Sequence, residues 1–156
     1  MILNRQRGIR VPMRALESFA TKARARLRLP AESFSIALVT SAQIAHWNRA
    51  YRHKPRPTDV LSFPTLQESG SCVAAPPIKR RLDKRRVFSS ASYLGDIAIA
   101  PAVARRNAAR FGRAFTQEMQ ILILHGILHL LGYDHETDSG QMERYERRLR
   151  RELGLV

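Results

Sequence analysis

Cysteine is nearly absent: Cys72 is the only one in 156 residues, so no internal disulfide framework can hold the chain, and a reducing compartment suits it. Long apolar runs are missing as well. The longest, Met119 to Leu131, contains two histidines and falls well short of the ~20 residues that a membrane-spanning helix needs. The charged start, Met1 to Arg7, has no apolar stretch of signal-peptide length behind it, which predicts no secretory leader and a cytoplasmic protein away from membranes. Acidic residues are scarce: 13 Asp and Glu stand against 27 Lys and Arg, a net charge of +14. An excess of this size attracts polyanions, and nucleic acid is the natural partner. What is present is a globular balance, 44% hydrophobic with 26% charged residues. A chain of roughly 150 residues buries about two-thirds of its surface, enough for one core, so a single domain over residues 1–156 is expected.

Periodicity supplies the outline. Val11 to Leu29 places Leu16, Phe19, Ala20, Ala23 and Leu27 at helical spacing, with Pro30 as the stop. Phe34 to Thr40 alternates large apolar with small residues, the pattern of a strand packed mainly on one face. Ser41 is the expected cap of a second helix whose face carries Ile44, Trp47, Asn48 and Tyr51, with Trp47 and Tyr51 read as core residues in preference to base-stacking platforms. Val60 to Phe63 reads as a strand between prolines, and Tyr93 to Ala100 as another. Between them, residues 67–92 lose all pattern and read as a long basic loop, with Lys79, Arg80, Arg81, Lys84, Arg85 and Arg86 as candidate RNA contacts. Pro101 opens a helix that Gly112 closes. Thr116 is the expected cap of the next, which is apolar nearly all round from Met119 and therefore central. Asp138 or Ser139 starts a last helix with Met142, Tyr145, Leu149 and Leu153 on one stripe. The expected fold is α+β: a small mixed sheet packed with about five helices, carrying its chemistry on the central apolar helix and the turn after it.

Three of the five histidines fall within eleven residues, His125, His129 and His135. Helical residues four apart are separated by about 40° and roughly 6 Å along the axis, so His125 and His129 project from one face. A continuing helix would carry His135 about 120° away from His129. Gly132 offers the left-handed turn that can bring it back as a third ligand. Three neutral imidazoles suit zinc, one ion per chain, and leave a fourth coordination position open, as in catalytic sites; the competing readings are core histidines or a zinc closed by a fourth protein ligand such as Asp134. The spacing coincides with that of the metzincin peptidases, H-E-x-x-H-x-x-G-x-x-H. In zincins the Glu after the first His is the general base, and here that position is Gly126.

At these residues the chain resembles the YbeY family of bacterial rRNA maturation factors, whose signature is similar to His125-Gly126-x-Leu128-His129-Leu130-x-Gly132-Tyr133-Asp134-His135. Asn48-x-x-Tyr51-Arg52 with Pro57-Thr58-Asp59-Val60-Leu61-Ser62-Phe63-Pro64 looks like the family's second motif, and Leu94-Gly95-Asp96-Ile97 like its third. The resemblance implies a metal-dependent, single-strand-specific endoribonuclease acting in rRNA 3′-end maturation and ribosome quality control. It implies single-stranded RNA and rRNA precursors as substrates, the ribosome or its proteins as partners, zinc on the three histidines, and one essential arginine. By motif position that arginine is Arg52. The stretch between Pro64 and Leu94 departs from the pattern, being longer and more basic than the family leads one to expect.

Asp134, next to His135, could orient a ligand through its ring N–H or serve only as a turn residue, and Asp96 could do the same or tie down a loop. Thr58 and Ser62 read as turn and strand hydroxyls. Two other readings compete: a ribosome-assembly protein that binds RNA around a structural zinc without cleaving it, and a zinc metallopeptidase, which Gly126 and the net charge disfavour.

Overall fold

The computed structural model describes residues 1–65 and 93–156, so the loop read at 67–92, with its basic cluster, lies outside the described residues. The order of elements is β1 (Ile2–Asn4), α1 (Met13–Leu27), β2 (Phe34–Leu38), α2 (Ser41–Arg52), β3 (Val60–Pro64), β4 (Gly95–Ile99), α3 (Pro101–Arg110), α4 (Phe115–Leu130) and α5 (Gln141–Glu152). Apolar spacing explains the helices and strands: Leu16, Phe19, Ala20 and Ala23 form the buried face of α1, and Phe34, Ile36 and Leu38 alternate inward along β2.

Element ends follow local hydrogen bonding more than residue type. α1 stops well before Pro30, because Arg28 takes left-handed backbone and the Leu29 N–H bonds back to the Arg24 carbonyl. Ser41 already lies inside α2. Its cap is Thr40, whose hydroxyl accepts the Gln43 N–H at 3.2 Å. Thr116 likewise lies inside α4, which opens after Ala114 with no side-chain cap. Pro101 does take the first position of α3. Ahead of α5, the Asp138 carboxylate accepts the N–H groups of Gly140, Gln141 and Met142 at 2.7, 3.0 and 2.7 Å, satisfying helix-start donors from just outside the helix.

The strands form one mixed sheet in the order β1-β2-β4-β3, parallel except where β3 runs antiparallel to β4. With five helices among the described residues this is the α+β domain expected. β1 has no sequence signature, since three residues with one buried side chain, Ile2, carry no period. On one face of the sheet Ile36, Leu38, Ile97 and Ile99 pack in the main core with α1 and α4. A smaller cluster, Val39, Ile44, Leu61, Ala98 and Val103, lies apart from it, flanked by Trp47 and Phe63. Met119, Ile123, Leu124, Ile127 and Leu128 of α4 are completely buried. Among the described residues no helix is long and apolar enough to cross a membrane.

Candidate metal centre

His125 and His129 are half-buried interruptions in the C-terminal half of α4. Past Leu131 the chain turns through Gly132 at φ 89°, a left-handed backbone that a side chain would strain, and the Tyr133 N–H returns to the Leu128 carbonyl at 3.1 Å. This turn carries His135 back beside the helix. The three ring centroids are 4.7, 5.4 and 5.2 Å apart, and one ligand nitrogen of each lies within 4.8 Å of the others. The cluster is positioned to hold a metal ion.

The protonation pattern fits that role. His125 Nδ1 lies 3.0 Å from the carboxylate of Glu146 on α5. An ionised carboxylate only accepts, so Nδ1 carries a ring proton, and in the neutral ring the lone pair is then on Nε2. That Nε2 faces His129 Nε2 at 3.0 Å. Burial, reinforced by the neighbouring His125 and His135 rings, lowers the His129 pKa to about 4, so this imidazole is neutral at physiological pH. Nitrogen atoms converging this closely need a proton or a cation between them, and imidazoles are good donors to a transition metal.

Glu146 is the functional residue that the motifs do not reveal. It is 7% exposed on the buried face of α5 with Met142 and Leu149. Burial pushes its pKa up, but the hydrogen bond and charge of His125, aided by Arg150, prevail and hold it below the ordinary glutamate value. Arg150 Nε bonds its second oxygen at 3.0 Å, and a terminal guanidinium nitrogen also contacts it. The available signal was positional, an acid on the apolar stripe of a helix whose other glutamates, Glu143 and Glu152, are exposed. Carboxylates that orient a ligand histidine are typically worth 10- to 100-fold in metal affinity. Glu146→Ala should therefore weaken metal binding by roughly that factor, measured by competition with a chromophoric chelator. Glu146→Gln, which keeps an acceptor for Nδ1–H, should weaken it less.

The acids singled out from the sequence are placed differently. Asp134 accepts the Glu136 N–H at 3.0 Å and the Thr137 hydroxyl at 3.2 Å, and the Glu136 bond is the main reason its pKa is lowered. Its hydrogen bonds shape the turn that carries His135, and its charge interacts with His129 and His135. Asp96 is exposed on β4 and accepts the Tyr93 hydroxyl at 2.6 Å, tying down the approach to that strand. Ser62 Oγ donates to the Gly126 carbonyl at 3.2 Å, a structural hydroxyl as expected. At Gly126 itself an added Cβ would lie 2.7 Å from Ile97 Cγ2, because α4 rests directly on β4. The zincin glutamate is thus excluded by packing as well as by identity.

Arg52, the last residue of α2, reaches the turn after α4: its Nη2 donates to Glu136 Oε1 at 2.8 Å, and Lys54 Nζ lies 4.0 Å from the same oxygen. Glu136 directly follows His135. A contact between residues 84 apart in sequence therefore ties a guanidinium to the turn that carries His135. Tyr51 corrects the expectation of a core residue, being 69% exposed, whereas Trp47 is partly buried against Phe63.

Fold and site together define a small α+β protein with three histidines positioned to hold a metal ion, an arginine paired to the residue after the third of them, and no place for a zincin base. A family model described as Endoribonuclease YbeY matches residues 2–154, and the chain belongs to that family. An Endoribonuclease YbeY from Sulfurovum sp. (strain NBC37-1) is 34% identical over 153 residues, spanning 98% of this chain and 90% of the relative. Another, from Desulfitobacterium hafniense (strain Y51), is 41% identical over 125 residues, 78% of this chain and 72% of the relative. The solution structure of TM1509 from Thermotoga maritima aligns with a TM-score of 0.58 at 26% identity, covering 98% of this chain and 89% of that one.

Proposed function

We propose that this chain is a zinc-dependent, single-strand-specific endoribonuclease of the cytoplasm, acting on rRNA precursors in 3′-end maturation and ribosome quality control. The observation that supports the reading is the ion pair of Arg52 with Glu136, the residue directly after His135, in a chain of this family whose His125, His129 and His135 are positioned to hold a metal ion. Zinc bound there supplies Lewis acidity toward a phosphodiester. His125, His129 and His135 would hold it, and Glu146 keeps His125 in the tautomer with a free Nε2. Arg52 presents a permanently charged planar fork, and an RNA phosphate replaces Glu136 as its partner when substrate arrives. Negative charge growing on the phosphoryl oxygens in the transition state is then met by a fixed cation. With Gly126 in the zincin base position, proton transfer falls to another group.

The test is cleavage of an unstructured RNA by purified protein. Cleavage is expected on the single strand, not on its duplex, and should stop on chelation and return with zinc. Because +14 of charge implies binding dominated by phosphate contacts, affinity should also fall steeply between low and physiological salt. Absence of cleavage, or cleavage indifferent to chelation, would sink the proposal. In cells, depletion should leave rRNA precursors with extended 3′ ends.

A further inference from the structure

Tyr51 is a large aromatic side chain left in solvent at the end of α2, immediately before Arg52. The other strongly exposed aromatic rings among the described residues are occupied. Phe111 has the guanidinium carbons of Arg113 and Arg110 at 5.1 and 5.6 Å from its ring centroid, and the Tyr93 hydroxyl bonds Asp96 and Ser35. Tyr51 has neither a cation over its ring nor a hydrogen bond on its hydroxyl among the described residues. It is nevertheless held in place: its ring meets Phe63 at 5.3 Å and 75°, and Phe63 meets Trp47 at 5.9 Å and 85°. These edge-to-face contacts form a row running from half-buried Trp47 to exposed Tyr51, and they are the geometry aromatic pairs prefer. A ring fixed at one side and open at the other is pre-organised for stacking. Near it in sequence lie exposed cations, Arg49, Arg52, Lys54 and Arg56, and the acid paired with two of them is Glu136.

The geometry points to Tyr51 as a base-stacking subsite, which takes the unpaired base of a nucleotide adjoining the phosphate held by Arg52. This deepens the endoribonuclease reading and rests on it. An exposed aromatic ring next in the chain to a cation matches a single strand, whose bases are free to stack while its phosphates are neutralised. A duplex hides its base faces within its own stack, so the subsite also gives a physical reason for preferring unpaired RNA.

The test measures binding of unstructured oligoribonucleotides to a metal-site variant, His125→Ala with His129→Ala, which leaves the RNA intact. Tyr51→Ala in that background should weaken binding roughly 5- to 100-fold, the range for losing one stacked base. Tyr51→Phe should stay within about twofold, and neither change should alter binding of the duplex. In a series of oligonucleotides with a single abasic site, one position should weaken the parent protein and leave Tyr51→Ala indifferent. A 2-aminopurine at that position should be quenched by the parent and not by Tyr51→Ala. Equal binding by Tyr51→Ala and its parent, failure of phenylalanine to rescue, or an equal loss on duplex RNA overturns the subsite. Cleavage by the unaltered protein, assayed alongside, separates the two readings. RNA that is cut normally by Tyr51→Ala overturns the subsite alone, whereas RNA that the unaltered protein neither binds nor cuts overturns both.

Discussion

Replacing His125 and His129 together by alanine should remove the bound metal and lower RNA cleavage by about 10³-fold or more, since Lewis-acid stabilisation is worth several kcal/mol of barrier. The protein should still fold. Both rings are half-buried, and α4 is anchored by Met119, Ile123, Leu124, Ile127 and Leu128, none of which the substitutions touch. Removing His129 also removes a half-buried imidazole whose protonation the fold resists, so acid sensitivity of the metal-free protein should lessen. The sign follows from the lowered pKa. The unfolded chain takes up a proton near pH 6.5 while the folded one does so only near 4, so this group withdraws stability as pH falls through that window. Metal analysis, thermal melting against pH and a cleavage assay read the three effects separately. Unchanged metal content in the double variant would refute the ligand assignment, and loss of folding along with the metal would favour a structural zinc.

Arg52→Ala should lower cleavage by at least 10²-fold, on the order of 3 kcal/mol of transition-state stabilisation, with metal content and melting temperature nearly unchanged. Arg52 ends α2 with a substantially exposed side chain, and its partner Glu136 is exposed too. A pair of this kind contributes little to stability, about 0–1 kcal/mol. Its value lies in where it holds the guanidinium. Arg52→Lys should recover little activity, because an ammonium cannot reproduce a planar bidentate fork. Glu136→Gln frees the guanidinium while leaving the position polar, so it should not imitate Arg52→Ala. Wild-type rates in Arg52→Ala, or metal loss with it, would move the phosphate contact to another arginine such as Arg49 or Arg56.

The family, the α+β class and the histidine cluster were legible in the sequence because each is encoded locally. Apolar period marks α1, β2 and α4, and a four-residue spacing followed by Gly132 determines that His125, His129 and His135 share one side of one turn. Charge content likewise needs no structure to imply a polyanionic partner. Tertiary structure decided what depends on neighbours distant in sequence. Asp134 and Glu146 are both acids near histidines in the chain or the fold, but the local turn claims Asp134, while packing of α5 carries Glu146 to His125. Tyr51 has the helical spacing of a core residue, yet α2 ends beyond the cover of its neighbours and leaves the ring exposed. Arg52 reaches the turn that carries His135 only because α2 brings its last residue to Glu136. Hydrophobic period states which side of an element faces inward, and burial at a given residue depends on whether another element lies opposite. That is set by the packing of the whole chain.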